Sequence, residues 1–338
     1  MPNSPKSAHV NPGVVAGQET SDALPWTIKR AYNWTKDYLE KKGDSDSRIS
    51  TEWLIGDACN LTRIEVYMEF EKPLSTQERT VLRDYVSRRA AGEPLQYILG
   101  KHSFRYLTLD CTPGVLIPRP ETETLVDLVL ERLPKTLQAF IPASIEESSS
   151  NDQAVCERGT KSNSVAFGEG LHVLDLCTGS GCVGLSIAHE RRDVSVTATD
   201  VSPQALALAK KNAQDTNLDS RVNLLSSDLF AEISKDSLFD IIVSNPPYIP
   251  SAGMEELPAE IIDFEPELAL HGGKDGLDFA RRILDQAQEY LKEGGFVILE
   301  LDSRNVHAAR DYAVLLNTYK TIDVVCDLTG RDRFLIVS

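Results

Sequence analysis

The sequence lacks a long hydrophobic run, a pair of closely spaced cysteines and a cluster of histidines. No apolar stretch approaches the roughly 18 residues that a membrane-spanning helix needs. The 338 residues are 41% hydrophobic and 25% charged, which is typical of a soluble globular protein. The six cysteines are scattered and form no C-x-x-C pair, which argues against both a zinc site and a disulfide framework. We therefore expect a protein of a reducing compartment, without a metal site and without membrane contact.

Positive charge is scarce in the larger part of the chain. The net charge is −16, and residues 119–338 hold 36 of the 51 acidic residues but only 20 of the 35 basic ones. Binding to a phosphate backbone depends on Lys and Arg side chains that release counterions. The charge distribution therefore predicts no direct binding to nucleic acid.

Two stretches have the composition of flexible segments. Residues 1–24 contain no apolar signal core, and Glu19 and Asp22 argue against an acid-poor transit peptide. We expect a disordered leader there and a bacterial, cytoplasmic location for the protein. Residues 134–170 are rich in Ser, Glu, Asn and Gly with little periodicity, which predicts a flexible insert.

The first part of the chain changes from helical to extended periodicity. Residues 25–96 show helical spacing, and Ser75 with Glu78 forms a capping-box pattern for a helix that would stop at Gly92. Residues 97–118 include the run SFRYLTLDC, whose bulky residues favour strands. We predict a helical N-terminal domain that recognises the substrate, followed by a β-hairpin linker.

The rest of the chain, residues 119–338, alternates strands with helices. Five segments are strand-like and are separated by other elements: LHVLDLC, VSVTATD, VNLLSS, FDIIVS and GGFVILEL. Two more, TIDVVC and RFLIVS, lie near the C-terminus. Strands that alternate with helices imply a parallel sheet with helices on both faces, so the pattern predicts an α/β domain.

A glycine-rich loop follows the first of these strands. Gly179, Gly181 and Gly184 satisfy the pattern G-x-G-x-x-G. Asp200 ends the next strand 21 residues after Gly179, close to the ~20 residues expected for an acid that binds a ribose hydroxyl. NAD and S-adenosylmethionine both carry such a ribose, and only NAD has a pyrophosphate for the helix N-terminus. The loop alone leaves these two cofactors open.

The fourth strand ends in the corner Asn245-Pro246-Pro247-Tyr248. Proline fixes its own φ and lacks an N–H, so the corner is rigid. It should face the same crevice as the glycine loop, because ligands bind beyond the carboxyl ends of parallel strands. The Asn245 side-chain carbonyl and the Pro246 backbone carbonyl could accept the N–H groups of a planar nitrogen, with Tyr248 as an aromatic face. The corner therefore predicts methylation of an amide or exocyclic amino nitrogen, with Asn245, Pro246 and Tyr248 as the catalytic residues.

Taken together, these motifs resemble the PrmC/HemK family of protein-(glutamine-N5) methyltransferases, which modify peptide chain release factors. The resemblance runs from about residue 25 to the C-terminus. It rests on six segments: GEPLQYILG at 92–100, LIPRPETE at 116–123, LDLCTGSG at 174–181, SNPPYIP at 244–250, FEPELALHGGKDGLDFARRIL at 264–284 and DLTGRDRF at 327–334.

The resemblance implies a Rossmann-like class I methyltransferase domain with a seven-stranded mixed sheet. It also implies S-adenosylmethionine as cofactor, S-adenosylhomocysteine as its product, and the Gly-Gly-Gln glutamine of bacterial class 1 release factors as substrate. The implied cofactor site consists of Cys177, Thr178, Gly179, Ser180, Gly181, Asp200, Asp228, Leu229 and Asn245. The implied substrate site consists of Asn245, Pro246, Pro247, Tyr248, Arg119 and Glu121.

One segment departs from the family pattern, and one alternative function shares the corner. After GGFVILEL the family commonly shows Glu-x-Gly-x-x-Gln, whereas Glu300 is followed here by Leu-Asp-Ser-Arg-Asn, so the Gly and Gln are missing. The sequence therefore assigns no role to this loop. The alternative is an adenine-N6 nucleic-acid methyltransferase, which would need a basic cleft that the acidic residues 119–338 do not provide.

Overall fold

The computed structural model describes residues 25–135 and 170–338. The predicted leader and nearly all of the predicted insert lie outside the described residues. The chain divides into two compact units between Ser87 and Arg88. The helices are α1 Ile28–Lys41, α2 Ser47–Cys59, α3 Arg63–Met68, α4 Thr76–Ala90, α5 Leu95–Leu99, α6 Glu121–Arg132, α7 Cys182–Glu190, α8 Pro203–Asp215, α9 Ala259–Phe264, α10 Asp278–Gln286 and α11 Val306–Leu316. The strands are β1 Lys101–Phe104, β2 Leu107–Asp110, β3 Leu171–Leu176, β4 Val194–Asp200, β5 Val222–Ser226, β6 Phe239–Ser244, β7 Leu291–Glu300, β8 Ile322–Cys326 and β9 Asp332–Val337.

The helices near the N-terminus begin and end where local signals occur. Glu78 N–H donates to Ser75 Oγ at 3.1 Å, and Ser75 N–H donates to Glu78 Oε2 at 2.7 Å, so the predicted capping box at the start of α4 is confirmed. Gly92, which follows α4, has a φ of +91°, as expected of a glycine that ends a helix. The first unit has its own apolar core, since these side chains have no exposed surface: Ile28, Leu39, Leu54, Ile55 and Val66.

The predicted β-hairpin is present as the antiparallel pair β1 and β2. Arg105 lies in its turn with a φ of +50°. The Arg105 side chain donates to Glu190 of α7 at 2.6 Å and pairs with Asp127 of α6 at 2.8 Å. These contacts attach the hairpin to two helices of the second unit. The predicted domain boundaries, 25–96, 97–118 and 119–338, stay a prediction.

The large sheet has seven strands in the order β5-β4-β3-β6-β7-β9-β8. Strands β3 to β7 pair in parallel, whereas β9 runs antiparallel to β7 and to β8. This is the predicted seven-stranded mixed sheet of a Rossmann-like class I methyltransferase. The strand order reverses at β3 and β6, whose last residues, Leu176 and Ser244, are paired. Ligands of open α/β sheets bind at such a reversal, beyond the carboxyl ends of the strands.

Apolar side chains cover both faces of this sheet. Successive residues of a strand point to opposite faces, and in β6 Ile241 and Val243 belong to one core while Ile242 belongs to the other. The first core includes Leu125 of α6, and the second includes Ile283 of α10. The paired ends of β3 and β6 are therefore held between two packed layers.

Two further observations concern the state of the cysteines and the search for membrane-spanning helices. The five cysteines within residues 25–135 and 170–338 are free thiols. Over the same ranges, no helix combines the length and the apolar character that crossing a bilayer requires.

Candidate active site

The glycine loop leaves β3 with an unusual backbone. Cys177, Gly179 and Gly181 have φ values of +58°, +58° and +84°, a region that costs a residue with a Cβ about 1–2 kcal/mol. A Cβ at Gly179 would meet open space. At Gly184 a Cβ would lie 3.0 Å from Asp175 Oδ2. Gly179 is thus needed for the turn, and Gly184 for the close packing of α7 on the sheet.

Asp175 supports this loop through two hydrogen bonds. Its Oδ2 atom accepts hydrogen bonds from the Thr178 hydroxyl at 2.6 Å and from Gly184 N–H at 3.0 Å. Burial raises the pKa of Asp175 to about 7, although the Thr178 and Gly184 hydrogen bonds oppose the change. In the sequence Asp175 is one residue of the motif LDLCTGSG, and in the structure its carboxylate supports the loop.

Asp200 ends β4 directly beside the same loop. Its Oδ2 accepts from Gly179 N–H and its Oδ1 from Ser202 N–H, both at 2.9 Å. Burial raises the pKa of this carboxyl above its ordinary value, against the effect of these hydrogen bonds. The carboxylate that was predicted to bind a ribose therefore also orients the glycine loop.

The loop after β5 provides two further predicted residues. Leu229 is buried with a φ of +53°, a strained backbone position without glycine, as at Cys177. Asp228 is exposed and pairs with Arg282 at 2.8 Å. Strained positions persist only when their surroundings hold them, and they are concentrated at functional sites. Leu229 and Cys177 show this strain in the two loops that the resemblance assigns to the cofactor.

These loops and the corner border one cavity, which we call the loop cavity. Of the predicted cofactor residues, the lining includes Cys177, Thr178, Gly179, Ser180, Asp200, Asp228, Leu229 and Asn245. Gly181 does not line it and instead caps the N-terminus of α7. Leu116 and Phe279 add apolar surface that the sequence analysis missed, although both lie in segments quoted for the resemblance.

At the corner, Asn245 is oriented by a side chain from α6. Asn245 Nδ2 donates to the Thr122 hydroxyl at 3.2 Å, and Thr122 is only 2% exposed. Within the described ranges, neither Asn245 Oδ1 nor the Pro246 carbonyl accepts a hydrogen bond. Pro246 itself is buried and lines neither the loop cavity nor the second cavity described below. Asn245 Oδ1 thus remains available to a ligand in either cavity, whereas the unpartnered Pro246 carbonyl belongs to a residue that lines neither cavity.

Glycines pack against the back of the corner. A Cβ on Gly276 would lie 2.2 Å from the Tyr248 carbonyl oxygen, and one on Gly272 would lie 2.7 Å from the Pro247 carbonyl oxygen. The Tyr248 carbonyl also accepts from Asn305 Nδ2 at 2.9 Å. The backbone of the corner is therefore held by direct backbone packing and by one side-chain amide.

Asn305 is a residue to which the sequence analysis gave no role. It occupies the position at which the family pattern has Gln, after Glu300. Its amide still reaches the corner, with a second contact to the Gly276 carbonyl at 3.4 Å. The sequence did contain a feature that could have identified Asn305: Asn and Gln carry the same amide group.

A second cavity adjoins the corner on its other side, and we call it the charged cavity. Its lining includes Arg119, Glu121, Asn245, Tyr248, Glu300, Asp302, Arg304 and Arg333. Arg119 pairs with the buried Glu265 at 2.5 Å, and Arg119 and Asn245 line both cavities. The predicted substrate residues Arg119 and Glu121 thus lie beside the corner, whose own Pro247 lines the loop cavity and whose Tyr248 lines the charged cavity.

Two ionisable groups of the charged cavity have strongly shifted pKa values. Burial raises the pKa of Glu300 to about 7, while the Thr122 hydroxyl, Arg333 and Arg119 lower it and Glu121 raises it. Burial also raises the pKa of the Tyr248 phenol. Tyr248 is therefore an uncharged phenol at neutral pH.

Known proteins similar to this chain are found at the family, sequence and structure levels. A family model described as the PrmC N-terminal domain matches residues 30–100, and one described as the methyltransferase small domain matches residues 164–274. A ribosomal protein L11 methylase from Lactobacillus delbrueckii subsp. bulgaricus is 24% identical with a TM-score of 0.37, covering 51% of this chain and 72% of that chain.

Two curated relatives cover most of the chain. The release factor glutamine methyltransferase of Geobacter sulfurreducens is 40% identical over 276 residues, which are 82% of this chain and 84% of that protein. The enzyme of the same name from Rhodopirellula baltica is 35% identical over 317 residues, 94% of this chain and 98% of that protein. Since the alignments cover 84% and 98% of these relatives at 40% and 35% identity, the chain belongs to the release factor glutamine methyltransferase family.

Proposed function

We propose that this enzyme transfers a methyl group from S-adenosylmethionine to the side-chain amide nitrogen of the glutamine in the Gly-Gly-Gln loop of bacterial class 1 release factors. The observation that carries the proposal is the pairing of Leu176 with Ser244, after which the glycine loop and the Asn-Pro-Pro-Tyr corner follow directly. The names of the relatives support the protein substrate. A substrate used in translation implies the bacterial cytoplasm as the place of action.

The loop cavity suits S-adenosylmethionine better than a dinucleotide. The Asp200 carboxylate can accept hydrogen bonds from neighbouring ribose hydroxyls, and Leu116 and Phe279 offer apolar surface to a planar base. The acidic lining, with Asp200 and Asp228, favours a ligand with positive charge over a negatively charged pyrophosphate. When bound, S-adenosylmethionine supplies a methyl group on a positively charged sulfur. We assign Cys177, Thr178, Gly179, Ser180, Asp200, Asp228, Leu229 and Asn245 to its binding, with Gly181 as the cap of α7.

The corner compensates for the low reactivity of an amide nitrogen. The lone pair of that nitrogen is delocalised into the carbonyl group, so the nitrogen is a weak nucleophile. Asn245 Oδ1 and the Pro246 carbonyl would accept its two N–H groups and stabilise the positive charge that develops on it. Pro247 keeps these acceptors in place, and Tyr248 would support the amide plane with its ring.

The proposed reaction requires no strong base at the corner. The Tyr248 phenol is protonated at neutral pH, since its ordinary pKa of 10.0 lies well above neutrality and burial raises it further. The amide nitrogen loses a proton when the new N–C bond forms, and it is acidic enough at that stage for water to accept the proton. The catalytic contribution of Asn245, Pro246 and Tyr248 is therefore orientation and charge stabilisation.

The remaining substrate contacts are proposed from position. Arg119 and Glu121 border the charged cavity and would contact the backbone around the glutamine. Residues 25–96 would recognise the release factor away from the glutamine. We propose a protein substrate and no nucleic-acid partner, and no observation in the structure favours the adenine-N6 alternative.

A labelling experiment tests the proposal. Purified enzyme is incubated with methyl-labelled S-adenosylmethionine and a bacterial class 1 release factor, either wild type or with the Gly-Gly-Gln glutamine replaced by alanine. We expect label only in the wild-type release factor, and mass spectrometry should place it on the glutamine side chain. Equal labelling of both release factors would refute the proposed substrate position.

A further inference from the structure

Catalysis by the corner requires one of two orientations of the Asn245 amide. The side chain of asparagine carries an acceptor oxygen and a donor NH₂ group of nearly the same shape. Only the oxygen can accept an N–H from the substrate. In the structure Asn245 Nδ2 faces the Thr122 hydroxyl at 3.2 Å, which leaves Oδ1 free of partners within the described residues.

Thr122 by itself does not determine this orientation. A hydroxyl can donate one hydrogen bond and can also accept, so it could equally donate to Asn245 Oδ1 with the amide reversed. The orientation is determined only if the Thr122 hydrogen is directed elsewhere. A nearby group that accepts but does not donate would have that effect.

Glu300 is such a group. It is 1% exposed at the end of β7, and neither of its carboxylate oxygens has a hydrogen-bond partner of ordinary geometry among the described residues. A buried carboxylate without partners is costly, so these oxygens have a strong need for a donor. Helix α6 and strand β7 pack in one core through Leu125 and Ile298, and the Thr122 hydroxyl at the start of α6 lowers the pKa of Glu300 at the end of β7. The carboxylate only accepts when it is ionised, a form that with a pKa of about 7 predominates above neutral pH, where the variants are to be compared.

We propose that Thr122 is a positioning residue, whose hydroxyl donates to Glu300 and accepts from the Asn245 amide, so that Asn245 Oδ1 is directed to the substrate nitrogen. This inference rests on the proposed function. It concerns two side chains, Thr122 of α6, which lines the loop cavity, and Glu300 of β7, which lines the charged cavity. Neither is assigned a direct contact with the transferred methyl group or the reacting nitrogen. Glu300 and the Thr122 hydroxyl affect catalysis only by orienting the Asn245 amide.

The test compares Thr122→Val with Thr122→Ser. Valine keeps the shape of threonine without the hydroxyl, and serine keeps the hydroxyl. We expect Thr122→Val to lower kcat by up to roughly 100-fold, the loss that a small misplacement of a catalytic group causes. The affinity for S-adenosylmethionine, measured by calorimetry, and the KM for the release factor should stay near wild type. Thr122→Ser should retain most of kcat.

A double-mutant cycle separates positioning from a structural effect. If Thr122 acts through Asn245, adding Thr122→Val to Asn245→Ala should slow the enzyme no further. Glu300→Gln gives Thr122 a neighbour that donates as well as accepts, so it should lower kcat by a smaller factor. Combined with Thr122→Val, Glu300→Gln should have no additional effect.

The outcomes distinguish this inference from the proposed function. A wild-type kcat in Thr122→Val, equal losses in the valine and serine variants, or additive losses in the cycle would each overturn the role of Thr122 while release-factor methylation by the wild-type enzyme stands. If the wild-type enzyme labels no release factor, the proposed function fails and the inference fails with it.

Discussion

Replacing Gly276 by alanine tests whether backbone packing holds the corner in its catalytic position. A Cβ at Gly276 would lie 2.2 Å from the Tyr248 carbonyl oxygen and 2.6 Å from Asn305 Nδ2. The first of these atoms is backbone and cannot rotate away, so the corner itself would have to move. Gly294 is a matched control, because its φ of +77° is close to the +79° of Gly276 and a Cβ there would meet nothing within 4 Å.

The expected magnitudes follow from this comparison. Both variants place an alanine in the left-handed region, which lowers the free energy of unfolding by about 1–2 kcal/mol. Gly276→Ala adds the cost of overpacking, about 1–3 kcal/mol. If the corner moves by about 1 Å, kcat should fall by roughly 100-fold in Gly276→Ala. Gly294→Ala should keep a kcat near wild type.

Urea denaturation of the two variants and of the wild type gives the free energies of unfolding, and the labelling assay gives kcat. The affinity for S-adenosylmethionine serves as a check that the glycine loop is intact in Gly276→Ala. Equal losses of stability in the two variants, together with a wild-type kcat in Gly276→Ala, would refute the claim that this glycine positions the corner.

The remaining predictions concern Asn245 of the corner, Asp200 beside the glycine loop, and Glu52 in the first unit. Asn245→Ala should lower kcat by about 100- to 1000-fold, as the loss of one preorganised polar group does, and should lower cofactor affinity far less than kcat; a wild-type single-turnover rate would show that its carbonyl is not needed. Asp200→Ala should raise the Kd for S-adenosylmethionine at least tenfold, since hydrogen bonds to a charged group contribute about 1.5–3 kcal/mol; calorimetry giving an unchanged Kd would contradict the assignment. Burial alone would raise the pKa of Glu52, but hydrogen bonds from Tyr67 and Arg63 hold it below its ordinary value. Its contribution to stability is therefore complete only above the unfolded pKa of 4.5 and is lost as the pH falls from there through the lower folded value. Glu52→Gln should remove this part of the acid dependence of unfolding, and an unchanged dependence would show that Glu52 does not contribute.

Local signals in the sequence were sufficient to predict the helices and strands and most residues of the candidate site. The capping box of Ser75 and Glu78 and the hairpin at residues 97–118 involve neighbours in the chain. The seven strands and the corner after β6 were likewise predictable, because strand periodicity and proline act over a few residues. The predicted cofactor residues other than Gly181 follow single strand ends, and they line one cavity for that reason.

The contacts that orient the corner were not predictable in this way. Asn305 was assigned no role, yet its amide reaches the Tyr248 carbonyl. Thr122 was only one letter of a motif, yet it accepts a hydrogen bond from Asn245, 123 residues later. In their local sequence, Asn305 and Thr122 look like ordinary polar residues of the surface. No periodicity or spacing identifies them as residues that contact the corner.

By itself, the sequence determined the alternation of strands and helices, the glycine loop, the rigid corner and, through its motifs, the family. Only the tertiary structure decided that β3 lies between β4 and β6, which brings Gly179 and Asn245 to one edge of the sheet. It also decided that Thr122, Glu300 and Gly276 surround the corner. The physical reason is that backbone preferences and caps act between near neighbours in the chain, whereas these contacts depend on the order in which distant strands pair and on the layers that pack against them.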